Sequence, residues 1–463
     1  MRMHKTLILL GVLAASPALA QVTLPIGLQQ PIERALQRDK AIANKEIDLE
    51  KAELDRKAVL GKYIPHVDAM AGYAYFDNQL TLDLPGYRLP LTGLEVFPDR
   101  STAHNNGNLA HAGLMARSVL FSGMQIRNGA EAMRQKAEGD ALMIQADRDA
   151  VVVDVVASFD KLRYIRASQE LVDDSDRRLQ KEEERVARAI ANGLAVPFDR
   201  DKLKLARLEL EMKRTQLEES HALLLQKITH LTGMTPAEAE AVVYELGPIE
   251  VPTDLTADGR SELQALEHYK QASESLVRKE KGSFLPMVGV FGGVSYTSLF
   301  NGWSEFDIPV VGSMVARPEV QLNELTLAPN WMVGVGLSWQ ILGGNGRTNE
   351  LKKARLGAAQ LENKLEDGRE KLGLLLSSKQ AAQATQLKQL ALAEQQEVVA
   401  GNNLTLAREQ YAEGLLSVTD RVAAENDFLK AAQGRVDALV AQRQAALETW
   451  QAAGQLTEKI IYR

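Results

Sequence analysis

The sequence of 463 residues contains no cysteine, few aromatic residues and no long apolar run after residue 21. Without cysteine, a disulfide scaffold, a thiol enzyme and a cysteine-type zinc site are excluded. No stretch after residue 21 approaches the roughly 18 apolar residues that a membrane-spanning helix needs. The 61 acidic residues outnumber the 54 basic ones, which argues against electrostatic binding of nucleic acid. If the protein enters a membrane, we expect it to do so as a closed β-barrel.

The first twenty residues have the pattern of a signal peptide. Arg2 and Lys5 precede an apolar run, and the small residues Ala18 and Ala20 supply a cleavage pattern before Gln21. We therefore expect an exported mature protein, in which the loss of the two basic residues changes the formal net charge from -7 to -9. No cysteine follows the cleavage position, so no lipid anchor is expected there.

Proline and aromatic residues are distributed unevenly along the chain. Proline is absent from residues 99–196 and 330–463, whereas 15 of the 24 aromatic residues fall within residues 63–122 and 284–342. Because proline interrupts helices, the two proline-free tracts favour long helices. The two aromatic-rich segments favour β-strands.

The chain contains an internal repeat with an offset of 221 residues. Six of the eleven glycines between residues 31 and 233 align with a glycine in the second copy. Less than one match is expected by chance, because glycine makes up only about 7% of ordinary sequence. The offset also aligns Pro65 with Pro286. The predicted organisation is a signal peptide (1–20), a first repeat (21–251) and a second repeat (252–463).

Each repeat is predicted to contain a helix, a strand pair, a long helix, a turn and a further helix. The strand pairs lie at 63–122 and 284–342, and the turns lie near 193 and 414. The long helix of the first repeat, about 124–191, would measure about 100 Å at 1.5 Å per residue. Leucines at heptad spacing in the next helix indicate coiled-coil packing, and alanines occupy the same positions in the second copy. These positions are Leu203, Leu210, Leu217, Leu224 and Leu231, and Ala424, Ala431, Ala438, Ala445 and Ala452.

The predicted strands have one apolar face. Val67, Tyr73 and Tyr75 alternate with polar or small residues, and Val333 and Val335 do so in the last strand. Strands of about ten residues with one apolar face and aromatic residues near their ends suit a membrane β-barrel. Four strands are too few to close a barrel of useful bore, so several copies must contribute, and three copies would give twelve strands. The connections, roughly 77–108 and 299–330, are expected to be loops without further regular structure.

The order and spacing of these elements resemble the TolC-like outer-membrane factors (outer membrane efflux proteins) of bacterial efflux and type I secretion. The resemblance covers nearly the whole mature chain and includes the strand entries at 63–65 and 284–286 and the strand-to-helix corners at 120–123 and 341–344. It implies a mostly α fold with a β membrane part: a homotrimeric twelve-stranded barrel in the outer membrane, continued by a periplasmic α-helical barrel about 100 Å long. The implied partners are a periplasmic adaptor protein, an inner-membrane pump and outer-membrane lipid, and no cofactor is implied.

The resemblance also implies a gate at the periplasmic entrance. Asp199 and Asp420 match acidic positions near the family's constricted entrance, and Tyr411 matches its gate tyrosine. The alternative for both aspartates is helix N-terminal capping, which an acid in the first turn provides in any case. The sequence departs from the family pattern at Leu416 and Ala423, where the best-known member has an arginine and a second acidic residue.

Two exposed turn pairs are predicted to contact the adaptor: Gly193-Leu194 and Gly414-Leu415. Glycine allows a helix to end in a left-handed conformation, and the adjacent leucine offers an apolar side chain to a partner helix. The alternative is that each leucine packs on its own helical hairpin.

The predicted function is the passive exit duct of a tripartite efflux pump or a type I secretion system. The main alternative is a periplasmic coiled-coil scaffold or adaptor, although an adaptor would not need two phase-matched apolar strand pairs. A periplasmic enzyme is a weaker alternative. The seven histidines show no metal-binding spacing, and residues 343–348 lack the order of a phosphate-binding loop, so no catalytic or metal site is predicted.

Overall fold

The computed structural model describes residues 21–83, 87–88, 95–97, 100–193, 195–306, 308–311, 314–454 and 456–463. The predicted signal peptide lies outside these residues. The described fold is mostly helical with a β part, as the sequence predicts.

The helices are α1 (Gln29–Arg38), α2 (Lys40–Gly61), α3 (Gln125–Ala191), α4 (Pro197–Thr232), α5 (Pro236–Ala241), α6 (Ser261–Gly282), α7 (Gly346–Ala412), α8 (Val418–Ala453) and α9 (Leu456–Lys459). The strands are β1 (Val22–Leu24), β2 (His66–Asp83), β3 (Tyr87–Arg88), β4 (Glu95–Phe97), β5 (Arg100–Phe121), β6 (Met287–Phe306), β7 (Ile308–Val311), β8 (Met314–Ala316), β9 (Glu319–Ser338) and β10 (Ile460–Tyr462).

Corresponding helices of the two predicted repeats have equal lengths. Helices α2 and α6 both have 22 residues, α3 and α7 both have 67, and α4 and α8 both have 36. Each pair begins and ends at positions separated by the predicted offset. The equal lengths agree with a duplication in which no residue was inserted into these helices.

The prediction of one helix before the first strand pair, about 31–62, is wrong in one respect, because this helix is divided into α1 and α2. Asp39 between them has an extended backbone with ψ of 115°. Its carboxylate accepts hydrogen bonds from the backbone amides of Ala41 and Ile42, at 2.8 and 2.9 Å. Asp39 therefore caps the N-terminus of α2, and a residue that caps one helix interrupts the preceding one.

The described residues divide into two compact units. The helical unit comprises the described residues within Met1–Lys51, Gln135–Lys270 and Gln360–Arg463, and the strand unit comprises Ala52–Arg134 and Gln271–Ala359. Both repeats contribute to each unit. The repeats are therefore units of sequence and not separate domains.

One large apolar core stabilises the helical unit. Phe159 of α3, Ile228 of α4 and Trp450 of α8 are buried in it. Strands β1 and β10 pair in parallel and add Val22 and Leu24 to the same core. Among the described helices, none is both long enough and apolar enough to cross a membrane.

A second, smaller core lies close to the α3–α4 and α7–α8 turns. It contains Leu179 and Val186 of α3, Leu203 of α4, and Val418 and Leu429 of α8. These residues come from helix segments that adjoin both turns. The turns are therefore held by one shared set of contacts.

The predicted heptad seam is buried at three of its five positions on α4 and at two of its five positions on α8. On α4, Leu203, Leu210 and Leu224 are buried. On α8 only Ala445 and Ala452 of the five predicted alanines are buried, and the main buried seam lies one residue later. Small side chains leave room beside a seam, whereas larger ones fill it. The main buried seam of α8 includes Glu425, Leu429, Ala432, Val436, Leu439 and Arg443.

The strand unit contains one antiparallel sheet with the strand order β2-β5-β6-β9. The four strands have 18, 22, 20 and 20 residues. The prediction that 77–108 and 299–330 are loops was therefore wrong, because the strands extend well into both segments and the short pairs β3–β4 and β7–β8 lie in the remainder. Pro329 is tolerated inside β9 because it lies between Leu327 and Asn330, where the register with β6 is irregular.

Candidate functional site

The first candidate surface is one face of the four-stranded sheet, called here the apolar sheet face. The register places Val67 beside Ala116, Leu114 beside Val294, and Val294 beside Trp331. Large apolar side chains are therefore contiguous across all four strands, and they are exposed. Their exposed fractions reach 73% for Trp331, 79% for Val333 and 71% for Val335. The exposed members of the face are Val67, Tyr73, Tyr75, Leu114, Val294, Tyr296, Trp331, Val333, Val335 and Leu337.

The opposite face of the sheet has a different composition. Arg117 donates a hydrogen bond from Nη2 to Asp68 Oδ2 at 2.8 Å, and His111 Nδ1 lies 2.9 Å from Thr297 Oγ1. Glycine, serine, asparagine and methionine occupy many of the remaining positions. The sheet therefore has one apolar face and one mixed, largely polar face. This is the alternation expected of a sheet that separates lipid from water.

The two outer strands of the sheet have free edges. Within the described residues, β2 pairs only with β5, and β9 pairs only with β6. Each free edge presents unpaired backbone N–H and C=O groups along a strand of 18 or 20 residues. Such edges require a partner strand if they are removed from water.

The second candidate surface consists of the two helical turns. Gly193 and Gly414 have φ values of 73° and 74°, so both adopt the left-handed conformation that the sequence predicts. In the α7–α8 turn, Leu415 N donates to Gln410 O at 2.8 Å and Gly414 N donates to Tyr411 O at 3.0 Å. This pair of bonds is a Schellman motif. The Leu415 side chain is 77% exposed, whereas Leu194 lies outside the described residues.

Both candidate gate aspartates lie in the first turn of a helix. The carboxylate of Asp199 lies 3.4 Å from the backbone nitrogen of Val196. Asp420 accepts a 2.6 Å hydrogen bond from the Ser417 hydroxyl, which in turn accepts one from the Asp420 backbone amide at 3.1 Å. The Asp199 carboxylate thus makes a capping contact with the backbone, whereas in α8 the Ser417 hydroxyl is the cap and the Asp420 carboxylate is hydrogen-bonded to that hydroxyl. A gate role for Asp199 and Asp420 stays a prediction.

Tyr411 lies near several charged groups from three helices. Burial raises the pKa of its phenol, and the carboxylates of Glu182 and Asp199 raise it further, against the opposing effect of Arg185 and Arg421. Tyr411 also packs against the small core near the turns. The structure therefore brings Tyr411 close to Asp199 within one chain. Contacts between Asp420 and either residue are not observed among the described side chains.

The sequence interpretation missed a buried ionic cluster near the turns. The Glu425 carboxylate accepts hydrogen bonds from Arg178 Nε at 2.7 Å, Ser175 Oγ at 3.0 Å and Arg421 Nη1 at 3.1 Å. Glu425 is completely buried, and Arg421 is 2% exposed. The helical periodicity of α8 could have indicated the burial of Glu425, because it lies four residues before Leu429 and therefore on the same face of the helix. The alanines of the predicted heptad lie one residue earlier and have a different phase.

Among the described residues, no group of three or more histidine, aspartate or glutamate side chains could hold a metal ion.

Comparison with known proteins gives one matching family model and several solved structures of similar fold. Residues 254–455 match the family model described as outer membrane efflux protein. The predicted resemblance to this family is confirmed. No curated protein matches the sequence.

Three solved structures with similar folds are CusC, CmeC and VceC. CusC is 14% identical with a TM-score of 0.72, and the alignment covers 93% of this chain and 92% of that chain. The CmeC outer membrane channel of Campylobacter jejuni is 13% identical with a TM-score of 0.69 and coverages of 93% and 86%. The outer membrane protein VceC of Vibrio cholerae is 16% identical with a TM-score of 0.68 and coverages of 92% and 96%. At these identities the similarity is one of fold.

The left-handed turn glycine generates a testable prediction. Gly414→Ala is expected to lower the free energy of unfolding by about 1 kcal/mol, because an alanine in the left-handed region is strained. A Cβ atom at position 414 meets no atom within 4 Å, so crowding contributes nothing. The matched control is Gly434→Ala inside α8, where a Cβ atom also meets no atom. This control is expected to raise the same free energy by about 0.5–1 kcal/mol, because alanine is the better helix former.

Denaturant unfolding of both purified variants in detergent measures the two changes. Equal signs for the two variants would contradict the assigned turn geometry.

Proposed function

We propose that this protein, whose residues 254–455 carry the pattern of the outer membrane efflux protein family, is an outer-membrane exit channel. It assembles as a homotrimer and conducts substrates passively to the exterior. Substrates arrive from a periplasmic adaptor and an inner-membrane pump, in a tripartite efflux system or a type I secretion system. The pump supplies the energy, and the channel supplies a water-filled path.

The observation that carries this proposal is the apolar sheet face. An exposed apolar patch across four strands is costly in water, because its side chains are hydrated instead of packed. Tyr73, Tyr75 and Trp339 are exposed near the ends of the face, where aromatic side chains suit the boundary between lipid and water. Lipid around this face removes the hydration cost without any protein partner.

The free edges of β2 and β9 support assembly from several copies. In lipid, an unpaired backbone group costs several kcal/mol, so a sheet with open edges is not stable there. If β9 of one copy pairs with β2 of the next, both edges disappear. Three copies then contribute four strands each and close a barrel of twelve strands.

The exposed turns support contact with a partner protein. Leu415 presents an apolar side chain to solvent beside a turn that the small core holds in place. A helical adaptor can cover this side chain and interact with the polar groups around it. We therefore assign adaptor contact to Gly193, Leu194, Gly414 and Leu415. Asp199, Tyr411 and Asp420 are assigned to the periplasmic gate.

Placing a charge on the apolar sheet face tests the membrane assignment. Val333→Arg is expected to destabilise the inserted protein by up to about 2–4 kcal/mol, because an arginine would face lipid. The matched control is Asn330→Arg, three residues away on the opposite face of the same strand, where it is expected to have little effect. The measurement is the amount of folded protein in the outer-membrane fraction. Equal yields for the two variants would contradict the assignment of the faces.

The same fractionation separates the proposal from its main alternative. A scaffold or adaptor in the periplasm would be recovered as a soluble protein, whether or not residue 333 is changed. Recovery of the unmodified protein in the soluble periplasmic fraction would therefore exclude the channel.

Removing the charge of Asp420 tests the gate assignment. Asp420→Asn keeps a side-chain oxygen for the Ser417 hydroxyl but removes the negative charge from each copy. We expect block of the single-channel current by a trivalent cation to weaken by about tenfold, because the attraction between the cation and three carboxylates is lost.

Ser417→Ala is the control for helix capping. It removes the hydroxyl that accepts the Asp420 amide hydrogen bond, and it leaves the charge in place. The loss of this cap is expected to cost about 1 kcal/mol of stability without weakening cation block. Cation block that is unchanged in Asp420→Asn would overturn the assignment of Asp420 to the gate.

A further inference from the structure

We propose that Glu425 is a positioning residue for the gate: with Arg421, Arg178 and Ser175 it forms an ionic clamp that holds α8 against α3 near the turns. Release of this clamp is the step that allows the α7–α8 turn to move and the entrance to open. The inference rests on the proposed channel function and specifies how the gate is regulated. It concerns residues other than the aspartates and the tyrosine implied by the family resemblance.

The geometry of the clamp links two helices that are distant in sequence. One oxygen of Glu425 accepts hydrogen bonds from Arg178 and Ser175 of α3, and the other accepts a hydrogen bond from Arg421 of α8 itself. The guanidinium of Arg178 also lies 5.5 Å from the ring centroid of Phe428. The carboxylate therefore has three donors, two of them from the neighbouring helix. All four residues lie in the helical unit.

The position of Glu425 is one that an apolar residue normally fills. It belongs to the buried seam of α8, and the seam continues with Leu429 and Val436. A buried ion pair contributes less to stability than apolar side chains of similar size, but removing one partner leaves a buried charge uncompensated. A charge at such a position therefore contributes little to folding and makes the local arrangement depend strongly on specific partners.

The first repeat lacks the clamp. The repeat equivalents of Arg421 and Glu425 are Arg200 and Lys204, and the equivalent of Arg178 is Val399. Arg200 instead pairs at the surface with Asp201, at 3.1 Å. If the cluster were a general requirement for packing these helices, the duplicated copy would need it as well. The clamp is thus specific to α8, the helix that follows the turn containing Leu415.

Two buried hydrogen-bonding groups near Tyr411 lack partners within the described part of the chain, and one of them belongs to the clamp. Arg421 Nε and Glu182 Oε1 are buried and have no hydrogen-bond partner among the described residues. Both residues lie close enough to Tyr411 to affect its pKa. A buried donor and a buried acceptor without partners are costly in one arrangement and favour a second arrangement that satisfies them. Exchange of Arg421 from Glu425 toward Glu182 would provide such an arrangement beside the gate tyrosine.

The test uses the full-length protein in planar lipid bilayers. Glu425→Gln removes the charge that holds both arginines and keeps the size of the side chain. We expect the ratio of open to closed channel to rise by about tenfold or more, because loss of one partner of a buried ion pair strongly destabilises that arrangement. The matched control is Glu448→Gln, also on α8. It removes a half-exposed pair with Lys379 of α7 and is expected to leave the ratio unchanged.

A second variant keeps the test informative if Glu425→Gln folds poorly. The chain has no cysteine, so Arg178→Cys with Glu425→Cys introduces one thiol pair on α3 and α8. A short, cleavable bifunctional thiol reagent then replaces the ionic clamp by a covalent one. The linked channel is expected to stay closed, and cleavage of the linker in the same sample is expected to open it.

The possible outcomes are distinguishable. If the unmodified protein forms no channel, the proposed function fails. If it forms a channel but neither Glu425→Gln nor cleavage of the linker changes opening, the clamp is overturned while the channel stands. A Glu448→Gln variant that opens as readily as Glu425→Gln would also overturn the clamp, because any lost ion pair on α8 would then suffice.

Discussion

The rest of the structure depends on one constraint: the β2-β5-β6-β9 sheet has an exposed apolar face and two unpaired edges, and both must be covered. In the proposed channel each problem has a separate solution: lipid would cover the face, and backbone hydrogen bonds to another copy would remove the open edges. The two solutions require each other, because open edges are intolerable in lipid and an apolar outer face is costly in water. A single chain with four strands cannot meet both conditions. The proposed trimeric membrane channel follows from this conflict.

The sheet exposes apolar side chains, whereas the helical unit buries several polar and charged side chains in its interior. Asp160 and Arg443 form a pair that is almost completely buried, and the Tyr244 hydroxyl donates to the same carboxylate at 2.7 Å. Glu425 lies on the same buried seam of α8 as Arg443, but nearer to the turns. The side-chain polar atoms of Asp160, Arg443 and Tyr244 are not among the buried atoms without a partner in the described residues, whereas Arg421 Nε in the cluster around Glu425 is. A fully satisfied network favours one arrangement. The unpaired donor of Arg421 is what supports the proposed exchange.

Periodic and duplicated features were predictable from the sequence, and local polar chemistry was not. The 221-residue offset and the absence of proline indicated both 67-residue helices to within a few residues. Strand length was underestimated because polar residues such as Asn78 and Asn105 pair across the sheet without any apolar alternation. The break at Asp39 depends on a side chain that competes with the backbone, and the position of Glu425 depends on helix phase. Neither is visible in composition.

The most direct test of the central constraint is the stoichiometry and strand closure of the protein purified from membranes. Native mass spectrometry combined with electron cryo-microscopy of the same detergent-solubilised sample measures both. Three copies are predicted, with β9 of each hydrogen-bonded to β2 of the next, so that twelve strands form a closed barrel. A monomer, or an oligomer in which the edges of β2 and β9 stay open, would contradict the conclusion that sheet closure between copies determines this structure.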